Sequence, residues 1–160
     1  MAEPIRKLQG SLYEQDFANW ADFQAQVLRD RNAARLDWEN LAEEIESLGR
    51  RDKSEIRSRL IVLLTHLLKW HFQPSERGHS WQSTIGEQRI HLESTLDDSP
   101  SLRRFPGEVL EKCYQRARRE AAKETQLPLG SFPEEAPYTA EQVLEYGFMP
   151  GRPWSPDDLS

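Results

Sequence analysis

The stretch LDWENLAEEIESLGRRDKSEIRSRLIVLLTHLLKWHF, residues 36–72, decides the fold. Trp38, Leu41, Ile45 and Leu48 recur every three or four residues, which draws the apolar arc of an amphipathic helix. Asp37 is placed to cap its start, and Gly49 supplies the residue that commonly ends a helix. Asp52, Lys53, Ser54 and Glu55 then have the spacing of a capping box and open a second helix, which Pro74 stops after Phe72. That helix carries Ile56, Leu60, Ile61, Leu63, Leu64, Leu67, Leu68 and Trp70 around more than half its circumference, as the central helix of a bundle does. So short a link between the two predicts an antiparallel hairpin.

Working outward, Phe17, Trp20, Phe23 and Val27 fall in one arc of a helix over residues 16–29. Downstream, a polar loop at 73–80 leads to a helix with Trp81, Ile85, Leu92 and Leu96 on one side. Ser99 and Pro100 open a short turn, and Pro106 and Gly107 break or kink the chain before a helix over 108–124. The inner face of that fifth helix is Val109, Leu110, Cys113, Ala117 and Ala121. Prolines at 128, 133 and 137 make the next segment irregular, and Thr139 to Gln142 form a capping box for a short last helix. With no internal repeat, the expected fold is all-α: a single-domain helical bundle of about five main helices plus a short C-terminal helix. The bundle spans 12–148, with a flexible N-terminus at 1–11 and a flexible Pro-rich tail at 149–160, where Trp154 is the one anchor.

A chain of 160 residues can bury a full core without metal or disulfide, and its single cysteine, Cys113, suits a reducing compartment. The first ten residues lack a signal-peptide core, and the longest apolar run, 60–64, falls far short of the roughly 18 residues a spanning helix needs. The expected setting is cytoplasmic, with no membrane contact. A net charge of −6 gives no global attraction to nucleic acid.

Tyr13, Asp16 and Trp20, the block LDWENLAEEIESLGR at 36–50, HLLKW at 66–70, Trp81, Arg89, the run at 99–102 and FPEEAPYTAEQVL at 132–144 occur in that order. In this combination the chain resembles the bacterial family called domain of unknown function 29, over roughly residues 12–150. The resemblance implies an all-helical fold and a bacterial intracellular setting, and it carries over no catalytic residue. Where the family usually has Cys or a similar residue before Pro137, this chain has Ala136, which weakens the case for a thiol there.

Three constellations could carry function. Asp37, Asn40 and Glu44 line the edge of the apolar arc of the helix that Asp37 caps, and the hairpin would bring Asp37 level with His66. Asp37, Glu44 and His66 could then hold a divalent metal for a hydrolase-like reaction. The favoured account of the same residues is structural, an ion pair of Glu44 with Arg89 and a hydrogen bond of His66 to Asp37, because partly buried charges are normally paired. His71 faces the core, His79 lies in a loop, His91 points outward, and Cys113 reads as inert packing. Lys112, Arg116, Arg119 and Lys123 form a basic stripe along the fifth helix that could meet a polyanion, although Glu108 and Glu120 are close enough to pair with it. The first choice is a non-catalytic helical interaction module, binding another protein or forming a homo-oligomer, with no cofactor predicted and with Trp20, Trp38, Trp70 and Trp81 mainly filling core.

Overall fold

The computed structural model describes residues 12–151; the expectations for the N-terminus at 1–11 and for Trp154 lie outside the described residues. Among these residues the fold is all-α. A helical turn at 12–15 precedes α1 (Phe17–Arg29), followed by α2 (Trp38–Phe72), α3 (His79–Asp98), α4 (Phe105–Thr125) and α5 (Ala140–Leu144), with short 3-10 turns between most of them.

The expected hairpin does not form. Helix α2 runs through Gly49 to Asp52 without a break, so the two predicted helices are successive parts of one 35-residue helix. A glycine inside a helix costs about 1 kcal/mol against alanine, whereas a break would strip up to eight backbone groups of their helical partners. No proline interrupts this segment, and Arg50 reaches back across Gly49 to Glu43 (2.7 Å) and Glu46 (3.6 Å). The side chain of Asp52 caps nothing; it accepts a hydrogen bond from the Ser99 hydroxyl at 3.3 Å.

Other helix ends are set locally. Asp16 accepts from the Asn19 backbone N–H at 3.0 Å to start α1, and Thr139 and Gln142 make both bonds of the capping box that opens α5. Pro106 does not kink the chain. It sits in the first turn of α4, where its missing N–H is no loss, so that helix starts earlier than expected.

The chain groups into two compact units, divided between Arg51 and Asp52. In the first, α1 runs antiparallel to the opening of α2, and the only buried apolar side chains among its described residues are Trp20 and Val27. The second holds the large core. Ile56, Leu60, Leu63, Leu64, Leu67, Leu68 and Trp70 of α2 pack with Ile85, Leu92 and Leu96 of α3 and with Cys113, Tyr114, Ala117 and Ala121 of α4, closed over by Phe132, Tyr138 and Val143. The chain stays packed as far as Met149 and Pro150. Gly151 ends the described chain at φ +101, where a Cβ would come within 2.9 Å of Arg77, so only glycine fits without strain.

Candidate functional site

Two of the residues expected to line the hairpin instead organise the first unit. Asp37 caps α2 by accepting from the Asn40 backbone N–H (3.4 Å) and holds the Asn40 side-chain amide (2.8 Å). It also accepts from the Trp20 indole N–H at 3.0 Å, while its own backbone N–H donates to the Gln24 side chain at 2.9 Å. Glu44, two turns along, takes the Tyr13 hydroxyl at 2.5 Å, and that carboxylate holds the phenol above its ordinary pKa. The Asp37–Asn40–Glu44 strip is therefore a fastening for α1. Its partners Tyr13, Trp20 and Gln24 could have been foreseen only from the pairing of two helices. One polar atom in this fastening, the buried side-chain nitrogen of Gln24, has no protein acceptor.

The structure does not bring the proposed metal ligands together through a hairpin. His66 bonds its Nδ1 to the Val62 carbonyl at 2.9 Å, and burial lowers its pKa. Among the described residues no group of three or more His, Cys, Asp and Glu is placed to hold a metal ion. The expected pair of Glu44 with Arg89 is replaced as well, since Glu44 is engaged by Tyr13 and Arg89 is spent elsewhere. Arg89, 3% exposed, donates to the carbonyls of Val143 (2.9 Å), Tyr146 (3.1 Å) and Phe148 (2.8 Å). It thereby clamps the end of α5 and the segment that follows, and burial lowers its pKa to about 10, which leaves it charged at neutral pH.

His71 faces inward as expected and shares a 2.9 Å hydrogen bond with the Tyr138 hydroxyl, whose pKa burial raises. Burial and then the nearby Arg77 lower the pKa of His71. His79 is the first residue of α3 rather than part of the loop. Cys113 is buried, and desolvation raises its thiol pKa, the opposite of what a nucleophile needs.

What α1 leaves uncovered is more telling. Trp38, Ile45 and Leu48 were expected to face a core, yet they are 64%, 68% and 57% exposed. The fastening residues draw α1 onto the neighbouring side of α2, and of the apolar arc only Leu41 is half-buried. On α4, Lys112, Arg116, Arg119 and Lys123 are all exposed, and among the described residues none of them forms an ion pair, with Glu108, Glu120 or any other carboxylate. Arg116 borders a shallow groove of about 300 Å³ in the second unit, shared with Val62, Thr65, His66, Glu120 and Glu124.

The family model described as domain of unknown function DUF29 matches residues 12–149. The chain belongs to this family. The DUF29 match takes in the fastening, the exposed arc and the Arg89 clamp together, and it ends two residues before Gly151. No curated protein and no solved structure matches the chain. No helix among the described residues is long and apolar enough to cross a membrane.

Proposed function

We propose that this chain is a non-catalytic helical interaction module whose docking face is the Trp38, Ile45 and Leu48 arc of α2. The observation that carries the reading is the exposure of three large apolar side chains on one helical face, in a unit whose buried apolar side chains, among the described residues, are Trp20 and Val27. Contiguous exposed apolar surface of this kind marks contact sites more often than isolated exposed residues do. A cytoplasmic setting belongs to the same proposal, because the lone Cys113 thiol is free and suits reducing surroundings.

The test compares the full chain with a variant carrying Trp38→Gln, Ile45→Gln and Leu48→Gln, by light scattering and by co-purification from its own host. The natural chain is expected to associate with itself or to retain a partner, and the variant to lose that association while keeping its helical circular dichroism. A clean monomer that retains no partner would refute the reading.

The basic stripe of α4 supports a second reading, contact with a polyanion, since these four exposed cations on one helix form no ion pair among the described residues. Its mark would be nucleic-acid or heparin binding that weakens steeply with added salt and is lost on reversing Arg116 and Arg119. Absence of binding at low ionic strength would end it.

A further inference from the structure

We infer that the exposed cations of α4, together with Lys53 and Arg57 of α2, form one band that seats the phosphate backbone of double-stranded nucleic acid. The inference rests on the polyanion reading; it adds a second helix to that surface and names the class of ligand.

At 3.6 residues per turn, Phe105 points the same way as Lys112, Arg116, Arg119 and Lys123, so these side chains fall within about a 60° sector of α4. The Phe105 ring stands at the head of that line. Two side chains of α2 are drawn to it: the Lys53 ammonium lies 5.4 Å from the ring centroid and the Arg57 guanidinium 5.5 Å. One turn along, the Cys113 thiol lies 3.8 Å from the Arg57 carbonyl. Burial raises the pKa of that thiol, and the charges of Arg57 and Arg116 pull against it, which places both guanidinium groups near one point of the α2–α4 seam. The cations of the two helices therefore run on from one another, over about 27 Å from Phe105 to Lys123. All of them are exposed, and none forms an ion pair among the described residues. Glu108 and Glu120 border the band on α4, one on each side, and neither is paired with it.

Like charges gathered in this way repel one another, and a polyanion that bridges them relieves the repulsion. A duplex presents the denser array, one phosphate per roughly 1.7 Å of axis, and its rigidity matches a straight helical band. Single strands are held in good part by stacking their bases on aromatic rings. The band offers no ring for that purpose: Phe105 is half-buried with two cations over it, and the exposed aromatic side chains among the described residues, Phe17, Trp38 and Tyr146, belong to other segments. A lipid surface would be met by apolar side chains beside the cations, and α4 exposes no large apolar side chain.

Fluorescence anisotropy of a labelled DNA duplex of about 20 base pairs, titrated with the full chain, should show binding that weakens on the order of 500-fold between about 50 and about 200 mM salt, a log–log slope of about −4 to −5. Lys53→Gln with Arg57→Gln should make that slope shallower by about 2, and so, separately, should Arg116→Gln with Arg119→Gln. Arg103→Gln removes a cation already held by Glu93 and Asp97 and should leave the slope unchanged. If the α4 pair matters and the α2 pair does not, the two-helix band is overturned, while the α4 stripe keeps its polyanion reading. A single strand of the same length, or poly-glutamate, that binds as tightly as the duplex would overturn the choice of ligand. Absence of duplex binding would overturn the inference outright; if heparin also failed to bind at low ionic strength, the polyanion reading would fall with it.

Discussion

Arg89 carries its charge into the buried side of α3, and every hydrogen bond it makes there goes to a carbonyl oxygen. Hydrogen bonds to a charged group are each worth about 1.5–3 kcal/mol, and losing this donor would leave three carbonyls to find water. Arg89→Met should therefore destabilise the protein by roughly 3–5 kcal/mol in urea unfolding and raise amide exchange across residues 143–148. The sequence offered Arg89 as an ion-pair partner for Glu44, but the carbonyls it serves lie more than fifty residues away, beyond the reach of any local pattern. The histidines make a second residue-scale prediction. Burial lowers the pKa of His66 and of His71 below the ordinary 6.5, so below that pH the unfolded chain binds more protons than the folded one. Stability is then full above about pH 6.5 and falls as pH drops past it. Urea midpoints measured from pH 8 to pH 5 should decline on the acid side, and His71→Asn should flatten that decline.

At the scale of elements, α2 is the case where end signals misled. A glycine and a capping-box spacing are common at helix boundaries but do not suffice to make one, because the chain breaks only if leaving helical backbone gains more than it forfeits. Here Arg50 ties across Gly49, and Asp52 finds Ser99 instead of a free backbone N–H. If Gly49 is an ordinary mid-helix residue with open space around it, Gly49→Ala should stabilise the protein by about 1 kcal/mol, a rise in Tm of about 3 °C. A destabilised variant would mean that this position needs glycine as a stop. The last helix was legible from sequence for the opposite reason: Thr139 and Gln142 act on their own helix within one turn, and local chemistry suffices there.

At the scale of the molecule, the two units differ in what holds each together. The first buries Trp20 and Val27 with Gln24, while the second buries a continuous cluster from Ile56 to Val143. Native-state hydrogen exchange should find α1 and residues 38–48 opening at lower free energy than residues 56–70. Uniform protection across both units would contradict the ranking. The amino-acid sequence by itself determined the helices, most of their ends, the inward face of the core-forming part of α2, and the family, because periodicity and caps act over a few residues and are written in residue type. Only the tertiary structure decided that Gly49 lies within a helix, that Asp37 and Glu44 fasten α1 rather than meet His66, and that Trp38, Ile45 and Leu48 face outward. An apolar arc states that a helix has a face to bury; which surface covers that face depends on where distant segments pack, and a helical period carries no record of it.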